Sequence, residues 1–248
     1  MPNLFRPKSN ISSRVSLALA GLVPVLALGI GSLVSRSSAN TSQNVPINQP
    51  VPFSHKHHAI ELGIDCEFCH VGVTKSAKAG VPATEVCMSC HSVIWTNSPI
   101  LEPVRKSYAE GTPIVWAKVN KLPEFVYFDH SIHIARGINC NSCHGPVQDM
   151  HITWKGHVFS MAWCLECHRE PEKYLRDQAP GKNLSPQNQV FEIYKKIQAG
   201  EELDPRQAQL AAGNARLSDP ADIKAGEELL EKYKVNKKQL MDCWVCHR

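Results

Sequence analysis

The sequence predicts a mainly α-helical and irregular chain with little sheet. It also predicts one membrane-spanning helix at the N-terminus and a core filled largely by something other than side chains. Three observations lead there. Aromatic residues make up only 7% of 248 residues, thin filling for a chain of this length. Val15 to Val34 is a run of twenty residues without a charge. All ten cysteines fall in five copies of one motif, Cys-x-x-Cys-His.

The motifs are Cys66–Cys69–His70, Cys87–Cys90–His91, Cys140–Cys143–His144, Cys164–Cys167–His168 and Cys243–Cys246–His247. This spacing is the attachment signature of c-type haem. Two thiols three positions apart can bond the two vinyl groups on one porphyrin edge, and the next residue sets an imidazole under the iron. Zinc sites need a second ligand pair and no His at that position, and a disulfide framework needs no histidines. The cofactor expected is five covalently bound haem c. Porphyrin would supply the missing apolar filling, around which short helices and irregular chain would wrap.

The formal net charge is +4. Five oxidised haems with two propionates each would add about −5, once the iron's own charge is included. Lys and Arg are scattered rather than striped, so nucleic acid is not an expected partner.

Val15 to Val34 would span roughly 30 Å as a helix, the depth of a bilayer core. Pro24 and three glycines are tolerated there. Arg6, Lys8 and Arg14 precede the run and only Arg36 lies close behind it. The positive-inside bias then puts residues 1–14 in the bacterial cytoplasm, makes 15–34 a single-pass anchor and exports the rest. A cleaved signal peptide is the competing reading, with Ser37-Ser38-Ala39 as its cleavage site, but the apolar run is longer than a usual signal core. Export suits either case, because c-type haem is attached outside the cytoplasmic membrane. Residues 35–51, rich in Ser, Asn, Gln and Pro, read as a linker.

Residues 52–170 contain an internal repeat. Phe53-Ser-His55-Lys-His57-His58 and Phe128-Asp-His130-Ser-Ile-His133 share the pattern Phe-x-His-x-x-His. Each leads to a glycine and a motif, Gly63-Ile-Asp-Cys66 and Gly137-Ile-Asn-Cys140, and a second motif follows at Cys87 and Cys164. The reading is two two-haem modules. The i, i+3 spacing puts both imidazoles of a pair on one side of a helical turn. They cannot serve one iron whose other face is taken, but they can serve two neighbours. Residues 171–248 read as a helical arm that carries the fifth haem away from the other four. Its helix starts are Ser185-Pro186, Asp204-Pro205 and Asp219-Pro220, with Gly200 and Gly213 as stops. Leu229, Leu230, Tyr233 and Leu240 supply its apolar face. Pro99 to Tyr108 reads as a helix stopped near Gly111, and residues 113–119 and 125–128 read as extended.

Five irons need ten axial ligands if every face is closed. His70, His91, His144, His168 and His247 are the proximal ones. The repeat assigns His55, His58, His130 and His133 as distal, with His57 a bystander. The fifth distal ligand is open among Met161, Met150, His151 and His157. A thioether there would raise that haem's potential relative to the bis-His haems, although Met is also a common gap filler.

The Phe-x-His-x-x-His…Cys-x-x-Cys-His units resemble the class III multihaem cytochromes of the cytochrome c3/c7 type. Val51-Pro-Phe-Ser-His-Lys-His-His58, Leu122-Pro-Glu-Phe-Val-Tyr-Phe-Asp-His130 and Met161-Ala-Trp-Cys-Leu-Glu-Cys-His168 more closely resemble the pentahaem subunits of alternative complex III, a quinol:electron-acceptor oxidoreductase of bacterial respiratory and photosynthetic chains. The terminal Leu229-Leu-Glu-Lys-Tyr-Lys-Val…Cys243-x-x-Cys-His-Arg248 fits as well. The resemblance implies that electrons from menaquinol, oxidised in polytopic quinol-binding subunits, arrive through an iron–sulfur subunit. They would leave through a monohaem cytochrome c subunit or directly to a soluble electron carrier. It makes Met161 and Met150 the family-like ligand candidates. Members of that family carry His where this chain has Asn120, a departure that reassigns a ligand here, with His151 and His157 as the alternatives. A catalytic multihaem reductase needs an open haem face. The absence of a Cys-x-x-Cys-Lys motif and the supply of spare ligands argue against one. A stand-alone, membrane-anchored quinol dehydrogenase suits the anchor equally well.

Overall fold

The computed structural model describes residues 8–176 and 186–247. Arg6, Ser185 and Arg248 lie outside them. The chain divides into two compact units, residues 1–43 and 44–248.

In the first unit, helix α1 (Ser9–Arg36) covers 28 residues and extends the expected span at both ends. It is long and apolar enough to cross a membrane, and Pro24 sits inside it. A helix of one turn, α2 (Ser38–Thr41), follows.

The second unit is helical and irregular. Among the described residues it holds no strand, though Pro46 and Trp154 form an antiparallel bridge. The expected extended segments at 113–119 and 125–128 are irregular chain. Short helices follow: α3 (Cys66–Cys69), α4 (Thr84–His91), α7 (Cys140–His144) and α8 (Met161–Arg169) carry motifs, while α5 (Glu102–Glu110) and α6 (His130–Ala135), which holds the second His pair, do not. α5 ends as its sequence suggests, on Gly111 at φ 64°, a left-handed position that favours glycine.

The two repeats fold alike, with one difference. Between the second His and the closing glycine the first repeat has one residue more: Ala59 to Leu62 against Ile134 to Arg136. The chain absorbs it in a π-helical turn over Lys56–Glu61, where the second repeat has α6. The Leu62 amide reaches back to the His57 carbonyl, and this wider loop takes up one extra residue. Both copies then close identically. The amides of Ile64 and Ile138 bond the carbonyls of His58 and His133, and Gly63 and Gly137 take φ 68° and 79°.

The arm contains α9 (Pro186–Gln198), α10 (Pro205–Ala211), α11 (Pro220–Lys232) and α12 (Cys243–Cys246). Asp204 caps α10 through a capping box with Gln207, and Asp219 caps α11. Gly200 and Gly213 follow the first two helices at φ 69° and 85°. The arm does not project from the repeats but packs back across them. The Tyr194 hydroxyl donates to Asn141, the Gln198 amide donates to the Ala59 carbonyl at 2.9 Å, and Arg216 pairs with Glu166. The last motif returns to the segment before α6, where the Tyr127 amide donates to the Cys246 carbonyl at 2.8 Å.

The buried apolar core is small, as the aromatic content suggests, and it forms three clusters, two of which sit behind motifs. Val190, Phe191, Ile193 and Tyr194 of α9 join Val73 and Ile134, and both Cys66 and Cys140 pack on this group. Leu101 and Val104 join Val51, with Cys87 against them. Leu175, Leu229 and Tyr233 tie α11 to the turn over Pro171–Lys173. Leu229 and Tyr233 are thus the buried part of the predicted apolar face.

Candidate functional site: paired imidazoles beside thiol pairs

Each of the first four motif histidines faces one histidine of a repeat. His55 faces His70 with ring centroids 6.4 Å apart; His58 faces His91, His130 faces His144 and His133 faces His168, each at 6.3 Å. Two imidazoles on opposite sides of one iron, each nitrogen about 2 Å from it, bring their centroids to roughly 6 Å. The spacing is therefore that of four bis-imidazole sites. As the i, i+3 argument requires, the two histidines of one repeat face the histidines of different motifs. The interplanar angles are 10°, 61°, 4° and 25° in the same order.

Each repeat aims its rings with its phenylalanine. Phe53 stacks on His58 at 4.3 Å and meets His55 edge-on at 5.0 Å. Phe128 does the same to His133 at 4.6 Å and His130 at 4.8 Å.

The Nδ1 atoms are tied as well. His58 donates to the Ser54 carbonyl at 2.9 Å and His133 to Asp129 at 2.7 Å. Four more find main-chain carbonyls: His70 on Gly80 at 2.7 Å, His130 on Ala77 at 2.8 Å, His168 on Leu240 at 3.2 Å and His247 on Phe125 at 3.1 Å. His91 reaches toward Ile94 at 3.4 Å. A proton held on Nδ1 leaves the Nε2 lone pair free to bind a metal. Side chains serve the other two, Thr153 for His55 at 3.2 Å and Asn120 for His144 at 3.0 Å.

Two anchors cross between the repeats. Thr153, from the loop after the third motif, holds His55 of the first repeat, while Ala77, from the loop after the first motif, holds His130 of the second.

Burial favours the neutral, coordinating form of the rings. It lowers the pKa of His55 to about 4, with His70 and His58 adding to the shift, and that of His144 to about 4, with His130 and His70 adding. His133 is lowered for the same reason. Burial likewise pushes the thiols of Cys143 and Cys167 up to about 12.

The thiols also place the motifs relative to one another. After burial, the charge that most raises Cys66 is that of Cys140, for Cys69 it is Cys87, for Cys143 it is Cys167, and for Cys164 it is Cys246. Numbered in chain order, the motifs run second, first, third, fourth, fifth.

The remaining candidates are dispersed. His57 bonds Glu61 at 2.8 Å and stacks on Trp95, in keeping with a bystander. His151 bonds Ser54 in the first repeat at 3.2 Å. His157 stacks on Trp163 at 5.3 Å, and its Nε2 is enclosed without a hydrogen-bond partner. Met150 is fully buried, and its terminal methyl lies near Gly145. Met161 is 64% exposed at the first position of α8, the helix whose Cys164 lies beside Cys246. His247 stacks on Phe125 at 5.9 Å. Sequence reasoning missed Asn120 and Thr153 as partners of ligand rings. It also missed Gly156, whose missing Cβ lets it lie against the His144 carbonyl.

Facing imidazoles, each pair beside two thiols, repeated along a helical chain, define a multihaem cytochrome c. The sequence model of the cytochrome c552 family matches residues 106–239, and the chain belongs to that family. It is similar to the multihaem cytochrome c subunit of a menaquinone reductase from Nitratidesulfovibrio vulgaris, 34% identical over 97 residues, or 39% of this chain and 45% of the relative. It is also similar to a cytochrome c-552 from Desulfotalea psychrophila, 25% identical over 157 residues, or 57% of this chain and 31% of the relative. The chain spans less than half the length of either relative. Membership of that family implies covalently attached haem c.

Proposed function

We propose that the protein is the five-haem electron-transfer subunit of a membrane-bound, menaquinol-oxidising complex of a respiratory or photosynthetic chain. In this reading all ten cysteines hold haem c, and His70, His91, His144, His168 and His247 are proximal ligands. His55, His58, His130 and His133 are distal. Each bound haem supplies a one-electron couple, and the protein positions it and tunes its potential. The observation that carries the reading is the set of four imidazole pairs at 6.3–6.4 Å. Closed on both faces, such irons pass electrons rather than bind substrate, which disfavours a reductase.

For the fifth site we take Met161 as the distal ligand of His247, because it heads the helix whose Cys164 adjoins Cys246. Met150, with its side chain buried against Gly145, serves packing instead. Residues 52–170 form the four-haem region and 171–248 an arm bracing it. The row of motifs makes the second and the fifth the terminal sites, where electrons enter and leave. Helix α1 anchors the chain in the bacterial cytoplasmic membrane, N-terminus inside and haem region outside. The partners of this reading are polytopic quinol-binding subunits, an iron–sulfur subunit, and a monohaem cytochrome c or soluble carrier.

One observation favours a second reading, in which electrons run the other way: the relative from Nitratidesulfovibrio vulgaris belongs to a menaquinone reductase. Purification in mild detergent tests both. Co-purifying polytopic and iron–sulfur subunits, with menaquinol-driven reduction of the haems, support the first. Haem-driven menaquinone reduction supports the second. A homo-oligomer without partners sinks both and leaves a stand-alone dehydrogenase.

A further inference from the structure

The ligand histidines are tied through Nδ1 mostly to main-chain carbonyls, and those acceptors are the same whatever the sequence. His144 is different. Its Nδ1 lies 3.0 Å from the side-chain amide nitrogen of Asn120, while Asn120 Oδ1 is buried without a hydrogen-bond partner. In the axial pairing with His130, Nε2 of His144 is the atom that binds iron and the proton sits on Nδ1, so two N–H groups would meet there. Half a turn of the amide resolves the conflict. Oδ1 then accepts from Nδ1–H, as main-chain carbonyls do for most of the other rings.

We propose that Asn120 is a positioning residue for the third motif. Its amide carbonyl accepts from the His144 Nδ1–H, fixes the tautomer and the ring plane, and thereby sets the reduction equilibrium of the haem held by Cys140 and Cys143. The inference rests on the axial pairing of His144 with His130 made above.

The physical argument has three parts. A stronger acceptor on Nδ1–H gives the imidazole more anionic character, and the more electron-rich ligand favours ferric over ferrous iron. The His144 ring is half-buried, where a hydrogen bond is electrostatically stronger than in bulk water. The His144 and His130 rings lie only 4° from parallel, the tightest alignment of the four pairs, which suits a ring held from behind. Since the third motif lies between the first and the fourth in the row, Asn120 tunes an internal step of the path. It is also a handle that a single substitution can change, which a main-chain carbonyl is not.

The test compares the full-length holoprotein with N120D, N120L and N120S, each checked for haem content. Potentials come from spectroelectrochemical titration, and ring alignment from the electron paramagnetic resonance of the ferric protein. N120D should shift one of the couples about tenfold toward ferric, or about 59 mV lower for one electron. N120L should shift the same couple the opposite way and move the signal of the near-parallel pair. N120S, a weaker acceptor that still fits, should move in the N120L direction and carries the test if N120D loads haem poorly. Unchanged couples in N120D and N120S at full haem content overturn the proposal. H130M separates that failure from failure of the underlying pairing. If H130M shifts a couple that N120D and N120S leave alone, the pairing stands and the role of Asn120 falls. If H130M shifts none, the pairing falls too.

Discussion

Replacing Gly156 by Ala should damage the third site from behind. A Cβ on Gly156 would stand 2.5 Å from the His144 carbonyl oxygen, 2.6 Å from its carbon and 2.7 Å from the Gly145 nitrogen. Ordinary van der Waals contact begins at 3.4 Å, so the methyl group is about 0.9 Å too close. All three atoms are main chain, and no rotamer change can relieve the contact. Either the Gly156 loop or the end of α7 must retreat, and the latter draws the His144 ring away from His130. Overpacking of this kind costs about 1–3 kcal/mol, and Gly→Ala returns about 0.4–1 kcal/mol by restricting the unfolded chain. The net loss is about 1–2 kcal/mol, a drop of roughly 2–8 °C in melting temperature for a chain of this size. The assay is thermal unfolding of the oxidised holoprotein together with its low-spin haem signals. G156A should melt lower and lose part of one low-spin signal. Melting at the parent temperature with all signals intact would refute the reasoning.

H133M exchanges an imidazole facing His168 for a thioether. It should raise one haem potential, read by redox titration, and an unshifted set of couples counts against the pair. The Arg176 side chain is buried and donates to the carbonyls of Arg206, Asn214 and Ala215. R176M leaves one buried and two part-buried acceptors unmet, at about 1–3 kcal/mol for the buried one and less for the others. Denaturant unfolding should show a loss of at least ~2 kcal/mol, and a change under ~0.5 kcal/mol would show that the carbonyls find other donors. M161A should remove any sulfur-to-iron charge-transfer band and open one haem to exogenous imidazole; a spectrum like the parent's would assign the fifth site to another ligand.

What the sequence made legible was the chemistry that must lie close along the chain. Covalent attachment requires neighbouring thiols and an adjacent imidazole, so all five motifs could be read at once. The twin Phe-x-His-x-x-His units marked the four histidines that face motif histidines, and their spacing marked that each pair faces two motifs. Helix limits with a local cause were equally plain, such as the caps at Asp204 and Asp219. The course of the arm was not. It is set by contacts such as Tyr194 to Asn141 and Gln198 to Ala59, 53 and 139 residues apart in sequence, and no local pattern marks them. The carbonyls that orient the imidazoles left no trace either, because every residue carries one. Asn120 could be noticed as a departure from a family pattern, but its place behind His144 required the fold.

The wide turn over Lys56–Glu61 bears on how a duplicated unit can age. An extra residue inserted in an α-helix rotates everything beyond it by about 100°, which would swing the motif after Gly63 out of phase with the histidines before it. Here the surplus is confined to one looped-out bond, and the ring pair and the closing glycine keep their phase. Copies of this unit can therefore drift in length and still seat their cofactors. A search for further copies should be keyed to the order of Phe, His, His and Gly rather than to a fixed count between them.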